Sequence, residues 1–146
     1  VRIAVAADHA GFDFKGRLIQ ELRRLGHEVT DEGTDSPDSC DYPDYAAPAA
    51  RSVSEGGNDR AILVCSNGIG MGMLANRIPG VRAAVVYSER TAAMTRGHHD
   101  SNVLCLGAQQ FPEEDLLKFV RVWLDTSFEG GRHARRMKKV EALESS

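Results

Sequence analysis

A chain of 146 residues, 42% hydrophobic and 27% charged, is the size of one domain that can bury a core without disulfide or metal staples, and its apolar runs are too short to cross a bilayer. Eighteen Lys and Arg against 21 Asp and Glu leave a formal charge of −3, which sets aside whole-surface nucleic-acid binding and leaves a small anionic ligand to a local site. Cys40, Cys65 and Cys105 are an odd, widely spaced set with no secretory leader ahead of them, so free thiols in a reducing cytoplasm are expected.

The first seven residues are a small-apolar run ending at Asp8-His9-Ala10-Gly11, which predicts a strand buried on both faces that stops at a polar turn. Phe14, Leu18, Leu22 and Leu25 then recur at helical spacing, and Gly26 supplies a stop. A short second strand over 28–31 runs into the turn-rich stretch 33–38. Asp41-Tyr42-Pro43 reads as a helix start, Ala46, Ala49, Ala50 and Val53 give that helix a small-residue face, and Pro48 within it predicts a kink. Strand three is expected over 61–65, followed by the loop Ser66-Asn67-Gly68-Ile69-Gly70 and a helix reaching Ile78. A fourth strand (82–87), a helix (88–97), a fifth strand (102–107) and an amphipathic helix (112–127) complete the alternation. Parallel neighbours need crossover connections, so this order predicts a five-stranded parallel sheet with helices on both faces. A final basic helix, placed at about 129–146, would carry Arg132 and Arg136 at i and i+4 on one face; the plain alternative is a solvated charged end.

Ligands of open parallel sheets bind at the carboxyl ends of the strands. Two segments fall there: the Asp8–Gly11 turn, and Cys65 with the two-glycine loop behind it, whose backbone N–H groups face an anion or oxyanion. A helix mouth lowers a thiol's pKa, although a lone cysteine is more often a small buried hydrophobe. A cysteine phosphatase would need arginine six residues after Cys65, where Met71 stands. A phosphocysteine transfer domain and general-base proton abstraction beside a carbonyl both stay open. Arg96-Gly97-His98-His99-Asp100, placed between the fourth helix and the fifth strand, brings histidines able to pass protons near neutrality. As a metal pair the adjacent histidines are poorly spaced and no third ligand is evident, so no metal is expected. Together these residues describe an enzyme for a phosphorylated small molecule.

The stretches A-A-D-H-A-G-F (6–12), D-Y-P-D-Y-A (41–46), V-C-S-N-G-I-G-M (64–71) with A-N-R (75–77), M-T-R-G-H-H-D-S-N-V-L (94–104) and E-G-G-R-H-A-R-R (129–136) resemble the ribose-5-phosphate isomerase type B family and its galactose-6-phosphate isomerase relatives. The resemblance implies a Rossmann-like three-layer α/β/α sandwich, a homodimer or pair of dimers with sites shared between subunits, and cofactor-free, metal-free interconversion of ribose 5-phosphate and ribulose 5-phosphate. Neither nucleic acid nor membrane enters as a partner. Carried over by position, Cys65 is the base acting through an enediol, and the amides from Ser66 through Gly68, Ile69 and Gly70 hold the oxyanion. His98 promotes ring opening with Asp8 nearby, Tyr42 lines the sugar pocket, and His9, Arg132 and Arg136 bind phosphate. Three positions depart from the family pattern. Asn67 replaces a hydroxyl residue near the reacting carbons, His99 replaces an asparagine implicated at the enediol oxygen, and Gln109 replaces a phosphate-binding arginine, in a setting closer to a galactose-6-phosphate isomerase subunit. A hexose 6-phosphate substrate and a non-catalytic phosphosugar-binding subunit are the alternatives these departures suggest.

Overall fold

The structure is a computed structural model and describes residues 1–145. Five parallel strands, β1 (Arg2–Ala7), β2 (Glu28–Asp31), β3 (Arg60–Cys65), β4 (Ala83–Val85) and β5 (Val103–Gly107), lie in the order β2-β1-β3-β5-β4. The three inner strands are the near-continuous apolar runs, because a strand covered on both faces has no solvent side to offer polar residues. The helices are α1 (Phe12–Arg24), α2 (Tyr42–Ser54), α3 (Ile69–Ala75), α4 (Glu89–His99), α5 (Glu113–Asp125) and α6 (Arg132–Glu141), followed by a 3₁₀ turn, Ala142–Ser145.

The two faces of the sheet differ in grain. On one, Ile3, Val5, Ile62, Val64, Leu104 and Leu106 meet large residues, Phe14, Leu18 and Leu22 of α1 and Leu116, Phe119 and Trp123 of α5. On the other, Ala4, Ala6 and Ala61 face Ala46, Ala49 and Ala50 of α2, so helix and sheet meet through small side chains. The result is a three-layer sandwich. Gly11 fixes the entry to α1: a Cβ there would lie 2.7 Å from both the carbonyl oxygen and Cγ1 of Val64, so only glycine lets that turn sit on the end of β3.

Several element bounds differ from the sequence reading. β4 is three residues rather than six, because it is an edge strand and side chains occupy the amides at its start: Arg82 N–H donates to Asn102 Oδ1 (2.7 Å) and Ala83 N–H to Asn76 Oδ1 (2.8 Å). α4 continues through His98 and His99 and ends at Asp100, which takes the left-handed conformation (φ 50°). The histidines therefore lie in the last helical turn, where the dipole favours positive charge. α2 runs through Pro48, whose ring is exposed. The basic terminal helix is shorter than 129–146: Gly130 and Gly131 have positive φ, so α6 starts at Arg132, and it gives way to the 3₁₀ turn after Glu141. Residue 146 lies outside the described residues. No described helix is long and apolar enough to cross a membrane.

Candidate active site

β1 connects to its neighbour on one side and β3 to strands on the other, so the crossovers reverse direction between β1 and β3. That switch point opens a crevice at the carboxyl edge of the sheet, and the Asp8 turn and the Cys65 loop flank it. Cys65 is 4% exposed, and Gly68 N–H donates to its Sγ at 3.1 Å. Gly68 can make this turn because it has φ 80° and its α-carbon faces the Leu106 backbone, which a Cβ would approach to 3.0 Å. Asn67 Oδ1 accepts from Ile69 N–H at 2.9 Å and lies 3.9 Å from Cys65 Sγ. Two of the loop amides proposed to meet an oxyanion, those of Gly68 and Ile69, thus serve the loop itself in this state. The loop is tied to the end of β5 by Ala108 N–H to Cys65 O (2.8 Å) and Gln109 N–H to Ser66 O (3.1 Å). The second bond sets position 109 beside the thiol loop.

Tyr42, in the first turn of α2, lies across Gly70. A Cβ at Gly70 would be 2.6 Å from Cζ and 2.8 Å from the phenol oxygen of Tyr42, so the contact requires glycine. Asp8 Oδ1 accepts from Ala10 N–H (2.9 Å) and Gly11 N–H (3.2 Å), a turn-forming role beside any chemical one. His9 is exposed, and its Nδ1 accepts from Cys40 N–H at 3.2 Å. Cys105 lies inside the sheet, where burial raises its thiol pKa, with Cys65 adding to the effect.

The other predicted residues are elsewhere in the chain. His98 and His99 precede β5, and so belong to the amino edge of the sheet, while Cys65 ends β3 at the carboxyl edge. At roughly 3.3 Å per residue, the strands between these edges are about 15–20 Å deep. α6 packs on α4 and sets Arg132 and Arg136, both exposed, on the His98 side. Arg96 anchors this turn, donating to Asp100 Oδ1 (3.0 Å) and Ser101 O (2.5 Å). A cavity of about 570 Å³ takes in His99 and the flank of α6 and none of the residues of the Cys65 loop.

Two residues of this second group escaped the sequence reading. The His133 ring is buried and stacks on His98 with centroids 4.1 Å apart and planes 6° from parallel. Glu129 reaches both, with Oε2 3.4 Å from His98 Nε2 and Oε1 3.7 Å from His133 Nε2. Burial is the main cause of a lowered His133 pKa, with His98 and Arg132 adding repulsion. The third candidate metal ligand not seen in the sequence is therefore Glu129, and the histidine paired with His98 is His133 rather than His99. Parallel rings aim their in-plane lone pairs past one another, so an ion bound by both would require one ring to turn. The i, i+4 spacing of Glu129 and His133 carried no helical signal, because Gly130 and Gly131, both with positive φ, separate Glu129 from α6.

A thiol in an amide-lined turn at the switch point of a doubly wound parallel sheet defines an α/β protein of the class that binds small ligands at its strand ends. The comparisons give the family. The Ribose/Galactose Isomerase family model matches residues 3–140. Ribose-5-phosphate isomerase B of Escherichia coli (strain K12) is 38% identical over 143 residues, spanning 98% of this chain and 96% of its own. Ribose-5-phosphate isomerase B of Clostridium thermocellum superposes with a TM-score of 0.97 at 39% identity, covering 99% of this chain and 98% of its own. The enzyme from Mycoplasma genitalium, solved with bound ribulose 5-phosphate, gives 0.96 at 39%, covering 99% and 97%. This chain belongs to the ribose/galactose isomerase family.

Proposed function

We propose that the protein interconverts ribose 5-phosphate and ribulose 5-phosphate without a metal, using Cys65 as the base. The observation that carries the reading is the Cys65 sulfur at the crevice end of β3, held by the Gly68 amide, in a chain similar from end to end to ribose-5-phosphate isomerases B. An amide donated to sulfur stabilises negative charge there, as a proton acceptor requires. After ring opening, Sγ takes the proton from C2 of the aldehyde, and the electron pair forms the C1–C2 double bond of an enediolate whose charge rests on O1. The O2 proton passes to O1 as the C2 carbonyl forms, and the sulfur returns its proton to C1. The remaining backbone N–H groups of the Ser66–Gly70 loop donate toward the developing charge. Tyr42 bounds the sugar, and His9 binds its phosphate.

His98, His99, Arg132 and Arg136 complete the site from a second copy of the chain, since the two groups of residues lie at opposite edges of one sheet. His98 opens the ring, His99 meets an enediol oxygen, and the arginines join His9 on the phosphate. The plain test is isomerase activity on a panel of pentose and hexose phosphates in the presence of a chelator. A second test mixes two inactive variants, Cys65→Ala and His98→Asn. In a two-fold dimer with shared sites, a mixed dimer holds one intact site, so co-refolding in equal amounts should return about a quarter of wild-type activity. No recovery would place each site within one subunit. Gln109 favours a second reading: its backbone bond to Ser66 puts a neutral amide beside the crevice where ribose isomerases usually carry a phosphate-binding arginine, which suits a differently configured sugar phosphate.

A further inference from the structure

We propose that Glu129 is a positioning residue for His98: its carboxylate holds the imidazole proton on Nε2 and leaves Nδ1 as the atom that accepts a proton during ring opening, while His133 fixes the plane of the ring.

This rests on the reading of His98 given above. Three linked contacts support it. Glu129 N–H donates to Gly97 O at 3.0 Å, fixing the Glu129 backbone to the last turn of α4. Gly97 also makes room for the carboxylate, since a Cβ there would lie 2.8 Å from Glu129 Oε2. The same oxygen is the one 3.4 Å from His98 Nε2. A carboxylate facing one ring nitrogen favours the tautomer that carries its proton there, and the other nitrogen is left with its lone pair. His133 closes the assembly: it lies flat against His98, and its Nε2 is buried with no hydrogen-bond partner among the described residues.

The step balances with one histidine. Nδ1 takes the proton from the O1 hydroxyl of the furanose as the C1–O1 double bond forms. The C1–O4 pair leaves on O4, which receives the same proton back from Nδ1. Glu129 stabilises the imidazolium that exists in between.

The test separates position from structure. Glu129→Ala should lower kcat for ribose 5-phosphate roughly tenfold to a hundredfold with KM within about twofold, because Glu129 acts through His98 and does not touch phosphate. Glu129→Gln, which keeps the volume and an acceptor oxygen, should lose less, and it carries the test if the alanine variant folds poorly. Gly97→Ala should reproduce the kcat loss by displacing the carboxylate without altering either histidine. Adding Glu129→Ala to His98→Asn should cost nothing further. Long-range ¹H–¹⁵N spectra should show His98 protonated at Nε2 in the wild type and a tautomer mixture in Glu129→Ala. The proposal is overturned by wild-type kcat in Glu129→Ala, by a KM effect in place of a kcat effect, by full additivity in the double variant, or by an unchanged tautomer. If His98→Asn alone keeps full activity, the underlying assignment of His98 falls, and the proposal falls with it.

Discussion

Replacing Cys65 separates two roles that one sulfur atom plays. Gly68 is buried, and its N–H donates to Sγ. Cys65→Ala leaves that donor without its acceptor, which costs about 1–3 kcal/mol, and removing the buried sulfur adds about 1 kcal/mol of lost burial. For a domain of this size 1 kcal/mol corresponds to about 2–4 °C in Tm, so Cys65→Ala should melt on the order of 10 °C lower. Cys65→Ser keeps an acceptor in nearly the same place and should recover most of that loss. Activity should not follow stability: both variants lose the proton-transferring atom, and kcat should fall by about two to four orders of magnitude in each. The assay is a thermal melt beside steady-state isomerisation of ribose 5-phosphate at a temperature where both variants are folded. A serine variant with wild-type turnover would show that sulfur is not the base. An alanine variant with wild-type Tm would show that the Gly68 amide does not depend on the thiol.

Arg132 and Arg136 are exposed, so changing both to alanine should leave Tm within a few degrees while raising KM for ribose 5-phosphate and weakening competition by inorganic phosphate; unchanged competition would make them a solvated helix face. Gln109→Arg should lower KM for ribose 5-phosphate, a charged hydrogen bond to phosphate being worth about 1.5–3 kcal/mol, and unchanged constants would remove position 109 from the phosphate. His99→Asn should alter kcat more than KM if that side chain meets the enediol, and a pure KM effect argues against this. Burial lowers the His133 pKa from 6.5, so the unfolded chain takes up a proton that the folded chain resists. This residue's contribution is therefore intact above about pH 6.5 and is lost as pH falls through that value toward the lowered folded pKa. Urea unfolding from about pH 7.5 down to 5.5 should show a shallower loss of stability in His133→Asn than in the wild type, and parallel curves would refute it.

What the sequence revealed depended on how local the cause was. The inner strands were legible because double burial writes itself as an apolar run, and the place of the Cys65 loop because two glycines directly behind such a run mark the turn from strand to helix. The length of β4 was not, because Asn76 and Asn102 cap it from segments whose proximity only the fold creates. The end of α4 was misplaced because Asp100, not a glycine, takes the left-handed conformation. Glu129 and His133 stood inside a stretch whose arginines attracted attention. Their meaning depends on α6 docking against α4, and helix periodicity carries no trace of that contact.

The alanine-lined face of the sheet has a consequence for the crevice. Tyr42 reaches Gly70 only because α2 lies close to β1 and β3, and the thickness of that layer is set by Ala4, Ala6, Ala46, Ala49, Ala50 and Ala61, each fully buried. These side chains act as shims. A valine at Ala46 or Ala49 would wedge the helix outward and swing its first turn, carrying the phenol away from the glycine and widening the space offered to a sugar. Substrate room in this fold can thus be adjusted from inside the packing, by side chains that never meet the substrate.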